Sequence, residues 1–188
     1  MATRNPGDKR RRLLEAGLAE FAAHGIAGAR IDRIANAAEC SAGLVYTYFG
    51  SKDELFTAII RWIIERTIAE APITPDDLPG YAGTLFDAYE DHPEVTRFLG
   101  WQRLEGGPVP NTAILAESTA RKVALIADAQ KRGTVPARFD PAELLGLVIQ
   151  LAAVWNAATP QFSGMLGAFT RAQRRALVTD SVAALLRA

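Results

Sequence analysis

The chain is 188 residues long, 49% apolar and 22% charged, with 21 Lys and Arg balancing 21 Asp and Glu. That composition fits one or two globular domains and excludes disorder and repeat polymers. A single cysteine, Cys40, excludes an internal disulfide framework and a cysteine-based zinc site, and a net charge of zero gives no overall reason to expect a nucleic-acid partner.

Taken in order, the elements are helices. Over residues 8–24, Leu13, Leu14, Gly17, Leu18 and Phe21 recur at three- and four-residue spacing, and Gly25 follows as a stop. A short helix is predicted over 31–38, with Ile31, Ile34, Ala35 and Ala38 on one side. Ser41 stands where an N-cap belongs, before a third short helix over 43–48. Ser51-Lys52-Asp53-Glu54 is a capping-box pattern opening a long fourth helix that Pro72 stops. Thr74-Pro75-Asp76-Asp77 opens the next, which ends near His92-Pro93. Further helices are predicted over about 94–104, 112–132, 140–157 and 170–186, with a loop over 159–169. Strand signals are absent, so the fold class is all-α, with about nine helices.

Glu15 and Glu20 break any signal-peptide core, and the longest apolar run, Leu144–Trp155, is far short of the roughly 20 residues of a spanning helix. A soluble, cytoplasmic protein without a membrane partner is expected. No catalytic motif is present, and two isolated histidines with one cysteine are poor material for an enzyme or a metal site. No catalytic residue, metal ligand or cofactor is assigned.

Residues 25–55 carry the chemistry. Two short helices joined by Ala37-Ala38-Glu39-Cys40-Ser41 meet the requirements of a helix-turn-helix. Ala35 and Ala38 let the helices cross closely, and Gly43 permits close approach to DNA. Tyr46, Thr47 and Tyr48 supply hydroxyls for phosphates and bases, and Lys52 a charge for a phosphate. Charge is distributed accordingly. Residues 1–52 hold eight Lys and Arg against five Asp and Glu, and the remainder hold 13 against 16. The neutral total is thus +3 on the first segment and −3 on the rest.

The run Gly25–Leu55 resembles the DNA-binding core of the TetR family of bacterial transcriptional regulators. The motifs that carry the likeness are His24-Gly25, Ile34-Ala35 with Ala38, Ser41-x-Gly43 followed by Tyr46-Thr47-Tyr48-Phe49, and Ser51-Lys52 with Leu55. Two positions depart from it: Arg30 stands for the usual Ser or Thr cap, and Glu39-Cys40 for the usual Gly-Val turn. The resemblance implies that Tyr46, Tyr48 and Lys52 contact phosphates. Ala42, Gly43 and Thr47 would lie nearest the base edges. Arg30 and Arg33 would reach phosphate or an adjacent base, Ser41 would cap and contact phosphate, and Lys9–Arg12 would cross the backbone. It further implies two domains, 8–54 for DNA and 55–188 for ligand binding and dimerisation.

In the second half, the helix around 144–155 is apolar nearly all round, which suggests an interface as well as a core. The resemblance implies a four-helix bundle with a second copy. Its interface would hold Leu144, Val148 and Leu151 on one helix, and Leu177, Val178, Ser181, Val182 and Leu185 on the last. It also implies a small-molecule pocket, for which Trp62, Tyr81, Phe86, Tyr89, Trp101 and Trp155 are the candidate lining residues, and a mostly apolar effector. The expected function is a ligand-responsive regulator, a repressor by family habit. It would bind a palindromic operator as a homodimer and be released by the small molecule. The alternative is a constitutive helix-turn-helix protein whose C-terminal half only dimerises.

Overall fold

The computed structural model describes residues 6–106, 113–156 and 169–187. Among them are nine α-helices, a single 3₁₀ turn at Pro75–Asp77, and no strand. In chain order the helices are α1 (Pro6–Gly28), α2 (Ile31–Ala37), α3 (Ala42–Phe49), α4 (Lys52–Glu70), α5 (Leu78–Asp91), α6 (Pro93–Glu105), α7 (Ala113–Lys131), α8 (Pro141–Ala152) and α9 (Arg171–Leu185). The all-α expectation holds. The expected loop over 159–169 falls outside the described residues up to position 168.

Helix ends follow local chemistry. Gly25 takes φ 72 and ψ 179, so α1 is interrupted one residue after His24. Ser41 Oγ accepts from the Leu44 N–H and starts α3. Ser51 Oγ accepts from the Glu54 N–H at 3.1 Å, the forward half of the expected capping box. Asp140 and Glu143 form a complete box at α8, and Thr170 and Gln173 at α9. By contrast, α8 stops at Ala152, short of the expected 157. There the bonds from Val154 N–H to Leu151 C=O and from Asn156 N–H to Ala153 C=O tighten the chain into turns.

The chain divides into two compact units, Met1–Arg66 with His92–Ile114, and Thr67–Asp91 with Leu115–Ala188. The expected boundary at 54–55 lies inside α4, and α6 belongs with the first unit. The reason is aromatic packing. Phe21 of α1, Phe56 of α4 and Phe98 of α6 are fully buried and form one cluster, with ring centroids 4.5–6.1 Å apart. Gly17 lets α1 approach α4, since a Cβ there would come 2.8 Å from Ile59 Cδ1. The second unit has its own core, including Leu78, Tyr81, Phe86, Ile126, Leu144, Val148, Val178 and Val182. Among the described residues, no helix is long and apolar enough to cross a membrane.

Candidate nucleic-acid interface

Helix α3 divides its side chains between core and solvent. Val45 and Phe49 are buried, whereas Gly43, Tyr46 and Thr47 are exposed at three- and four-residue spacing and share one face. Tyr46 is 52% exposed, high for a tyrosine in a small helical unit. Thr47 Oγ1 donates to the Gly43 carbonyl at 2.9 Å. Gly43 has nothing within 4 Å of where a Cβ would stand, so it leaves open space at the start of α3. Ser41 is exposed, and Ala42 and Tyr48 are half-buried against the first core. An exposed helix face with hydroxyls and a glycine at its N-terminal end can enter a major groove, where those groups reach phosphates and base edges.

The turn before α3 carries the two departures noted in the sequence. Arg30 occupies the N-cap of α2 and makes no side-chain cap bond. It is exposed, 3.8 Å from Asp32. The Arg30 N–H instead donates to Glu20 Oε1 at 2.9 Å. Glu39 adopts φ 53, the left-handed region normally left to glycine, and its carboxylate takes an ion pair from Arg12 at 2.9 Å.

Two of the basic residues expected at DNA are hydrogen-bonded within the chain. The Lys52 ammonium donates to the carbonyls of Ile26, Ala27 and Ala29 at 2.9, 3.5 and 3.3 Å. Its three N–H donors meet three acceptors. Arg33 donates through Nε to Glu20 Oε1 at 2.7 Å and through Nη2 to the Gly28 carbonyl at 2.8 Å. Burial alone would raise the Glu20 carboxyl. The hydrogen bonds from Arg33 and the Arg30 N–H, with the charges of Arg33 and His24, bring it below the usual value instead. Both side chains bond carbonyls of residues 26–29, which are left without helical partners as α1 ends at Gly28. In the basic run, Arg10 lies over the Phe49 ring, Arg11 pairs with Glu15, and Arg12 reaches the turn.

The candidate pocket residues fall in both units. Trp62 and Trp101 belong to the first. Trp101 Nε1 donates to the Ala22 carbonyl at 3.2 Å, and Trp62 lies under the Arg66 guanidinium. Tyr81, Phe86, Tyr89 and Trp155 belong to the second. There the Arg174 guanidinium lies 5.9 Å from the Phe86 centroid and 6.0 Å from that of Trp155, and it pairs with Glu90. Trp155 Nε1 and Arg174 Nε are buried and make no hydrogen bond among the described residues. Lys122 donates to Tyr81 Oη at 3.0 Å; burial lowers the lysine and pushes the Tyr81 hydroxyl up to about 12. Arg174 and Lys122 were missed from sequence. Arg174 carries a signal in hindsight, since it lies four residues before Val178 and eight before Val182 on the buried stripe of α9.

The residues expected at a dimer interface differ in burial. Leu144, Val148, Val178 and Val182 are at most 1% exposed inside the chain's own core. They have no surface to offer a second copy. Leu151, Ser181 and Leu185 are half-buried, and Leu147, Val154 and Leu177 are exposed at 38%, 46% and 53%.

Comparison with known proteins agrees with this architecture. Residues 13–59 match the model for bacterial regulatory proteins of the tetR family, and residues 77–183 match the tetracyclin repressor-like C-terminal domain. The chain is 40% identical over 168 residues to the HTH-type transcriptional repressor SCO4008 of Streptomyces coelicolor, covering 88% of this chain and 87% of that one. It is 27% identical over 172 residues to the HTH-type transcriptional regulator RutR of Escherichia coli, covering 87% and 81%. The crystal structure of SCO4942 from Streptomyces coelicolor superposes with a TM-score of 0.84 at 35% identity, over 94% of this chain and 97% of that one. With both of its halves matched, the chain belongs to the TetR family and is a DNA-binding transcriptional regulator, not an enzyme.

Proposed function

We propose that the protein is a homodimeric repressor that binds a palindromic operator and is released by a small, mostly apolar molecule. The exposed face of Gly43, Tyr46 and Thr47 on α3 carries the DNA half of this reading. The segment's modest excess of positive charge means that one copy makes few phosphate contacts, so two are needed for useful affinity. Two copies would set their reading helices about 34–36 Å apart, one turn of DNA. Repression follows the similarity to SCO4008, itself named a repressor.

The dimer is assigned to the outward faces of α8 and α9 and the turn after α8. Leu147, Leu151 and Val154 line one, and Leu177, Ser181 and Leu185 the other. Large apolar side chains exposed on two neighbouring helices fit an isologous contact. The effector is assigned to the second unit. Buried donors without acceptors are rare in native proteins, and Trp155 Nε1 with Arg174 Nε makes two beside one aromatic ring. They favour a ligand-binding second half over one that only dimerises. The effector acts only through its preference between two states, typically about 1–3 kcal/mol of coupling.

The direct test is selection of duplexes from a random DNA library by the purified protein, then competition by small molecules. A palindromic selected sequence, bound by a dimer and released by an uncharged aromatic compound, is the expected result. Retention of a non-palindromic sequence by a monomer would sink the operator reading. Lys52→Ala separates bracing from phosphate contact. Bracing predicts weaker binding with an unchanged salt slope, whereas a phosphate contact predicts a slope smaller by about one.

A further inference from the structure

We propose that Glu105, at the end of α6, is a positioning residue for DNA recognition. It lies far outside the segment 13–59 that matches the family's DNA-binding model. Its role follows from the break in α1. Gly25 leaves the helix at φ 72, and the N–H groups just after it lose their helical partners. Glu105 Oε2 accepts both, from Ile26 at 3.0 Å and from Ala27 at 2.9 Å. The carbonyls of the same stretch are taken by Lys52 and Arg33, and the Arg30 N–H by Glu20. Residues 25–30 are therefore held from α1, α2, α4 and α6 at once. This connector leads directly into the helix-turn-helix.

The contact is built rather than incidental. A Cβ at Gly25 would stand 2.3 Å from Glu105 Oε1 and 3.2 Å from the Trp101 ring, so the glycine makes room for both. Trp101 anchors the same turn of α6 through its bond to the Ala22 carbonyl. Phe98 anchors the helix one turn earlier in the first core. The last turn of α6 meets the connector through an acceptor matched to two orphan donors.

The sign of the effect separates this role from simple electrostatics. Removing an acid from a DNA-binding unit increases its attraction for any duplex. Loss of a positioning residue weakens binding instead, and leaves the salt slope alone because no phosphate contact is lost. The experiment uses the full chain and a duplex selected by the wild type, with affinity measured at several salt concentrations and oligomeric state by sedimentation. Glu105→Ala is expected to bind about three- to tenfold more weakly, with the slope unchanged. Glu105→Gln, whose amide oxygen still accepts both N–H groups, is expected to stay within about twofold. Equal or tighter binding by Glu105→Ala overturns the proposal, as does a Glu105→Gln loss as large as that of alanine. Should Glu105→Ala fail to fold, amide exchange in the wild type decides. Slow exchange at Ile26 and Ala27 supports the contact, and fast exchange overturns it. The inference rests on DNA binding by α3. A wild type that retains no duplex fails at that earlier step, whereas a wild type and Glu105→Ala that bind alike fail at this one.

Discussion

Single residues decide how α3 is presented. Gly43 has no neighbour within 4 Å of a Cβ, so alanine there strains nothing in the free protein and improves helix propensity by up to about 1 kcal/mol. Gly43→Ala is expected to melt at or slightly above the wild-type temperature and yet to lose affinity for the operator, because the proposed reading puts the added methyl where the DNA approaches. Paired thermal melts and binding isotherms check this; parallel losses of stability and affinity would contradict it. Glu39 is the opposite case, a side chain in a backbone region that suits glycine. Glu39→Gly and Glu39→Ala both lose the ion pair with Arg12, so their difference isolates the backbone. Glycine should be the more stable of the two by about 1 kcal/mol, or about 2–4 °C in Tm.

Beyond the apolar cores, charged side chains also join elements. Glu20 on α1 holds Arg33 of α2 and the N–H of Arg30. Its folded pKa lies below the usual 4.5, so its contribution to stability is complete above that pH and is lost as pH falls through the folded value. Acid titration of the wild type should therefore show stability falling below about pH 4.5, and Glu20→Gln should show a shallower fall over the same range. An identical pH profile for the two proteins would remove Glu20 from the account. This scale also shows what was legible. The amphipathic spacing of the helices and the caps at Ser41 and Ser51 could be read from residue order, since they depend on neighbours within four positions. The bracing by Lys52, Arg33 and Glu105 could not. Each reaches across 5 to 79 positions of sequence, and nothing local tells a lysine that holds carbonyls from one that holds a phosphate.

At the scale of the molecule, the question is which apolar surface the chain keeps and which it leaves for a second copy. Leu147 and Leu177 are the exposed aliphatic side chains of α8 and α9 themselves. Leu147→Glu with Leu177→Glu is expected to convert a dimer to a monomer at micromolar concentration, with helix content retained because neither side chain is in the core. Operator affinity should fall by several orders of magnitude as bivalent binding is lost. Sedimentation and circular dichroism read both outcomes, and a double variant that stays dimeric would place the interface elsewhere.

Residue order alone determined the all-α class, the helix-turn-helix and its family, and the excess of positive charge on the first 52 residues beneath a neutral total. Those properties are periodic, local or additive. Tertiary structure decided the rest. It drew α6 into the DNA-reading unit through Phe98 and Glu105. It bonded Lys52 and Arg33 to carbonyls of residues 26–29. It also divided the apolar residues of α8 and α9 into those the monomer buries and those it leaves exposed. A helix that is apolar all round gives no sign of which face its own chain will cover. That choice is made only when the neighbouring helices have packed.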